Sequence, residues 1–204
     1  MRFSEDLDFD NTGISLTECE ELAYHITRYF AYHGIMTETK VFQKVAYHID
    51  IKFPDVLTDW WLTPYTRKWV REKLIIKFDT HEQGYIFTPE TRLIDKFWIR
   101  KIIQVAPLPL LMAQKIRTIG ERKRSKGRDY VDLIFLQKKQ VRPDYGYLKQ
   151  FLGIENPSQL KKYLLDIIAK KDKNRLIRDV QPFLFNPYDD SIKHFELYVK
   201  EYAR

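Results

Sequence analysis

Residues 2–10 read RFSEDLDFD. Phe3, Glu5, Leu7 and Phe9 alternate with Ser4, Asp6, Asp8 and Asp10. A period of two is that of a β-strand, whose successive side chains point to opposite faces. One face is largely apolar; the other carries three carboxylates in a row. The turn signal NTG at 11–13 closes the strand. Positions two apart on such a face lie ~7 Å apart, so Asp6 and Asp8 repel unless a cation sits between them. Hard divalent cations take oxygen ligands and suit that gap. An Asp-x-Asp pair also fits the solvated face of an edge strand, and the pair alone does not choose.

Downstream, residues 15–34 (SLTECEELAYHITRYFAYHG) predict an amphipathic helix. Ser15 or Thr17 supplies the N-cap, Glu18 and Glu20 favour the first turn, and Gly34 stands just past the end. Leu22, Ile26, Tyr29 and Phe30 recur at helical spacing and form its apolar stripe. Residues 40–53 (KVFQKVAYHIDIKF) and 72–80 (EKLIIKFDT) are rich in β-branched and aromatic residues and read as strands. In the second, Leu74, Ile76 and Phe78 share one face; Ile75, Lys77 and Asp79 share the other. Residues 97–107 (FWIRKIIQVAP) are a further short strand. Pro54 and Pro64 punctuate a connection that carries Trp60–Trp61, read as a core or interface pair.

From Pro107 the period changes to helical. Residues 108–124 place Met112, Ile116 and Ile119 on one stripe and Leu111, Lys115, Thr118 and Arg122 on another. SKG at 125–127 breaks that helix, and residues 128–139 resume with Val131, Ile134 and Phe135 inward. Segments 145–153, 157–171, 173–185 and 190–204 continue helical and basic. Strands with one helix, then a helical half, predict an α+β fold: a mixed sheet at 1–106 and a helical domain at 107–204.

The composition fits a folded chain of this kind: 204 residues, 44% hydrophobic and 31% charged. Lys and Arg number 35 against 28 Asp and Glu, a formal charge of +7, which suits a polyanionic or nucleotide partner. Cys19 is the sole cysteine, so no disulfide framework exists, and it is read as inert. The five histidines show no ligand spacing. The N-terminus lacks the apolar region of a signal peptide, and no run of apolar residues is long enough to span a membrane. The expected location is cytoplasmic.

Arg2, Ser4, Asp6 and Asp8, followed by Lys115, Arg122, Arg128, Asp129, Asp132 and Leu133, together form a pattern. In that order and separation it resembles the nucleotidyltransferase toxins of bacterial abortive-infection (AbiE) systems, in which an R-x-S-x-D-h-D strand precedes a K…R…RD-x-x-DL helical hairpin. The segments KFP, LIIKFDT and ETRLI resemble the same family, so the likeness runs from residue 1 to about 140. It implies a minimal nucleotidyltransferase, polymerase-β-like palm. Asp6 and Asp8 would then bind Mg²⁺ (or Mn²⁺) and the triphosphate of an NTP. Asp79, preceded by Lys77, would be the third carboxylate, where the family often has Glu. Lys115 and Asp129 would be the family's helical lysine and acid. Arg2, Ser4, Lys77, Arg128 and Asp132 would support the strand and phosphates, with Asp132 a structural residue behind the site or a cap partner of Arg128. The implied activity is transfer of a nucleoside monophosphate to RNA, such as tRNA, by the toxin of a toxin–antitoxin pair acting in phage defence. A cognate antitoxin is the implied partner.

Physical chemistry allows those roles. A helix-borne lysine is a point charge that can neutralise a phosphate. Asp129 could hold Lys115 or act as a base; Asp129 and Asp132 lie one turn apart on a helix face. The basic residues Arg117, Lys123, Arg124 and Lys126 beside them would suit sequence-independent phosphate contact. Family members also carry a Gly-Gly-Thr/Ser segment shortly before the first Asp, whose backbone N–H groups hold the triphosphate. The chain as given opens on the motif that follows it. That departure implies a second expectation: a catalytically impaired relative acting as an RNA- or protein-binding module, with self-association covering the exposed sheet. A metal-dependent nuclease would use the same carboxylates but leave Lys115 and Asp129 without a special task.

Overall fold

The computed structural model describes residues 2, 6–43, 46–54 and 74–202, with backbone alone at Asp6 and Tyr202. Ser4, Lys44–Val45 and the Trp60–Trp61 pair lie outside the described residues. The chain divides into two compact units, Ser4–Gly84 and Tyr85–Arg204 joined by Met1–Phe3. Both contain helices, and the sheet is of mixed direction, an α+β protein as its sequence predicts.

The first unit is a four-stranded sheet with one helix on it. Its elements are β1 (Asp6–Asp10), α1 (Leu16–Tyr32), β2 (Glu38–Gln43), β3 (Tyr47–Phe53) and β4 (Leu74–His81). The order is β1-β4-β3-β2. β1 runs parallel to β4, and β3 runs antiparallel to both β4 and β2. Residues 40–53, which read as one strand candidate, are thus two strands of a hairpin. The central strand β3 buries Ile49, Ile51 and Phe53. α1 begins with a reciprocal capping box: Glu18 N donates to Ser15 Oγ at 3.3 Å and Ser15 N donates to Glu18 Oε2 at 2.8 Å. Ser15, not Thr17, is therefore the cap. The helix docks through Cys19 and Ala23, with Ile26 and Phe30 packed beside them. Leu22 and Tyr29 of the expected stripe face solvent instead. The small side chains of Cys19 and Ala23 let the helix approach the sheet closely, and that rotates the buried stripe away from the bulkier pair.

The second unit holds an antiparallel hairpin, β5 (Glu90–Lys96) with β6 (Ile99–Val105), followed by helices. These are α2 (Leu108–Glu121), α3 (Gly127–Lys138), α4 (Tyr145–Leu152), α5 (Pro157–Ile168), α6 (Lys173–Val180) and α7 (Phe195–Tyr202). The residues before and after the hairpin, Tyr85, Phe87 and Ala106, pack on the helical core. The hairpin therefore clusters with the helices, although the change of period at Pro107 separates it from them in the sequence. Met112, Ile116 and Ile119 of α2 and Tyr130, Leu133 and Ile134 of α3 are buried together. Each fully buried large apolar side chain contributes roughly 1.5–3 kcal/mol. Asp144, Asn156 and Asp172 cap α4, α5 and α6 by accepting from Tyr147 N, Gln159 N and Arg175 N. Among the described residues no helix is long and apolar enough to cross a membrane.

Candidate active site

Strand pairing sorts one face of the sheet into rows. One row crosses Asp6, Lys77, Asp50 and Lys40, alternating in charge at every step. Opposite charges in facing positions stabilise a sheet. The next row crosses Asp8, Asp79, His48 and Phe42. Here two carboxylates stand side by side on strands ~4.8 Å apart. Like charges in facing positions destabilise a sheet, so this row departs from the compensation of its neighbour.

The two carboxylates differ in their support. Asp8 is exposed, and among the described residues no hydrogen bond or ion pair engages it. Asp79 is held: its Oδ1 lies 2.6 Å from His48 Nδ1. His48 is itself stacked on Phe42, ring centroids 5.0 Å apart. Asp10 follows one row along, beside His81. Burial raises its pKa, the Gln83 hydrogen bond lowers it, and the charge of Asp8 raises it further; the net shift is upward. Crowded negative charge on β1 thus extends from Asp8 to Asp10, to which the sequence motif assigns no task. Lys77 is exposed. Among the described residues no three Asp, Glu, His or Cys side chains converge as a cation site. The two carboxylates in facing positions are Asp8 and Asp79, hard oxygen donors of the type divalent cations take. Asp6 joins them in register only, its side chain lying outside the description.

The second unit brings together the rest of the motif. Lys115 on α2 donates to Asp129 Oδ1 at 3.3 Å and lies 2.9 Å from Asp132 Oδ2. Arg122 Nη1 donates to the other oxygen of Asp129 at 2.5 Å. Arg2 grips Asp132 with two parallel bonds, Nε to Oδ1 at 2.7 Å and Nη2 to Oδ2 at 2.8 Å. Its backbone is also bridged to Leu184. Asp132, expected as a structural residue behind the site or a cap partner of Arg128, contacts Arg2 and Lys115. Asp129 is 2% exposed, with Lys115 on one oxygen and Arg122 on the other. Burial alone would raise the pKa of Asp132; the hydrogen bond from Arg2 and the charge of Lys115 outweigh it, and the net shift is downward. Arg128, half-buried, is the second residue of α3.

Gly127 opens α3, and its missing side chain is what lets α6 approach. A Cβ there would lie 1.9 Å from the carbonyl oxygen of Leu176. Gly127 N donates to Asp179 Oδ2 at 2.9 Å. Of the basic cluster on this helical hairpin, Arg117 is absorbed locally, 4.1 Å over the Phe151 ring and bonded to Glu121. Lys123, Arg124 and Lys126 carry no ion pair among the described residues.

Sequence reasoning passed over His48 and Gln83. The alternation of YHIDIKF puts His48 on the charged face, but nothing local says that Asp79, 31 residues on, is its neighbour. A family model described as nucleotidyl transferase AbiEii toxin of a type IV toxin–antitoxin system matches residues 1–182. No curated protein matches the chain.

Proposed function

From the premise that the chain belongs to the AbiEii nucleotidyl transferase toxin family of type IV toxin–antitoxin systems, we propose metal-dependent transfer of a nucleoside monophosphate from an NTP to an RNA acceptor such as tRNA. Membership of that family implies an antitoxin partner. The observation that carries the proposal is the facing pair Asp8 and Asp79 beside a charge-compensated row of the same sheet. A protein keeps such a repulsion where a cation relieves it.

Asp8 and Asp79, with Asp6, are the residues that would hold Mg²⁺. When bound, the ion neutralises phosphate charge and favours departure of pyrophosphate. His48 keeps Asp79 turned to its task, as groups behind a metal ligand commonly do. Lys115 is the helix-borne cation that would neutralise phosphate charge. Asp129 holds it, with one carboxylate oxygen on Lys115 and the other on Arg122. The acceptor hydroxyl oxygen attacks the α-phosphorus, the bond to the β-phosphate oxygen breaks, and the hydroxyl proton leaves to solvent or a carboxylate of β1. Lys123, Arg124 and Lys126 offer sequence-independent contact to an RNA backbone.

The test incubates the chain with each α-labelled NTP, Mg²⁺ and bulk tRNA, beside the Asp8→Asn and Asp79→Asn variants. Label on RNA from the wild type, cut by about two orders of magnitude or more in either variant, is expected. No label on RNA, or equal label from the variants, refutes the reading.

A further inference from the structure

The β5–β6 hairpin contributes no residue to the site above. Its two-residue turn is Phe97–Trp98, and both residues have positive φ, 52° and 66°. That is the pattern of a type I′ turn, which Asn and Gly fill easily. Residues with a bulky Cβ disfavour it. The two residues are 86% and 104% exposed, so the folded interior gains nothing from their rings. Strain retained for two solvent-facing rings points to a use outside the fold.

The flanking residues indicate what meets those rings. Residues 96–101 read KFWIRK, three cations and no acid. Arg100 is bonded to Asp95 at 3.0 Å, whereas Lys96 and Lys101 have no ion pair among the described residues. The register pairs Lys96 with Ile99, Ile94 with Lys101 and Arg92 with Ile103. The three pairs nearest the turn on that face each join one cation to one aliphatic, and the fourth joins Glu90 to Val105; the exposed Ile94 and Ile99 never pair directly with each other. Protein interfaces are depleted of lysine. Surfaces that hold single-stranded nucleic acid combine free cations with bare aromatic faces.

We propose that the hairpin tip grips a single-stranded polynucleotide. A base stacks on Phe97 or Trp98, and Lys96 and Lys101 contact the phosphates on either side. This deepens the RNA-acceptor reading and rests on it for the purpose of the grip. Binding is measured without NTP, so failed transfer and failed grip remain separate results.

The experiment is fluorescence anisotropy of a labelled RNA strand of about 12 nucleotides, the size an aromatic and cationic groove accommodates. The same sequence as single-stranded DNA and as duplex RNA is run in parallel. The first variant joins Phe97→Asn to Trp98→Gly, which suits the turn and keeps the hairpin folded. It is expected to bind the RNA strand about tenfold more weakly or worse. The second joins Lys96→Ser to Lys101→Ser and is expected to lower the salt dependence of log Kd by about 0.7 per lysine. Affinity for the RNA strand at least equal to that for DNA, and above that for duplex, supports the grip. Wild-type binding by the turn variant, or tighter binding of duplex, overturns it. So does a turn variant with unchanged RNA affinity but a lower mass by light scattering, which would make the tip a self-association arm.

Discussion

Replacing Asp132 by Asn tests the ion network where its energetics can be worked out. The carboxylate takes two bonds from Arg2, at 2.7 and 2.8 Å, and a third contact from Lys115 at 2.9 Å. Its side chain is 21% exposed and that of Arg2 16%. A bond to a charged partner is worth roughly 1.5–3 kcal/mol, and removing one member of a fully buried pair costs about 3–5 kcal/mol. Partial exposure lowers this, and the three contacts share one group, so a loss of about 2–3 kcal/mol is expected. The substitution leaves the Arg2 and Lys115 charges without the Asp132 carboxylate between them. For a chain of this length the loss lowers Tm by about 4–12 °C. The sign of the pH dependence follows from the downward pKa shift of Asp132. Its stabilisation is complete above the unfolded-state value near ~3.9 and is lost as pH falls through the lower folded-state value. Urea melts of both proteins from pH 7 to about pH 3 should show a gap that closes on acidification. A gap absent at pH 7, or unchanged at the acid end, refutes the reasoning.

Three further outcomes follow from individual contacts. His48→Ala frees Asp79, and transfer activity should fall about 10–100-fold with little change in melting, while His48→Asn restores part of it by re-forming the bond; equal activity in all three proteins would remove His48 from the site. Gly127→Ala drives a methyl toward the Leu176 carbonyl, 1.9 Å away, and should cost about 1–3 kcal/mol in denaturant melts, whereas a neutral result would mean that α6 moves freely. Ser15→Ala removes the cap of α1 and should cost about 1 kcal/mol, seen as faster amide exchange in the first turn of α1, with the helical unit unaffected.

Much of this protein is written in local periodicity. Alternation alone marks β1 and β4, and it places Asp8 and Asp79 on charged faces. Helical spacing alone marks Met112, Ile116 and Ile119 as core. These features need only the chain's own geometry within a few residues. The association of Lys115 with Asp129 is legible through the family resemblance rather than through spacing.

Partner choice and register are not local. β1 pairs in parallel with β4, some seventy residues on, and that pairing brings Asp8 beside Asp79. A slip of one residue would send every side chain of β1 to the other face, and nothing within RFSEDLDFD excludes it. Arg2 finds Asp132 across 130 residues. The orientation of α1 turned on close packing at Cys19 and Ala23, which hydrophobic spacing does not record. The sequence by itself marked the candidate residues and most of the helices and strands, since both follow from side-chain type and period, while it merged β2 with β3 and passed over β5. The tertiary structure alone decided that two aspartates face each other, that His48 holds one of them, and that the Phe97–Trp98 turn stands strained in solvent, because each depends on contacts between segments distant in the chain.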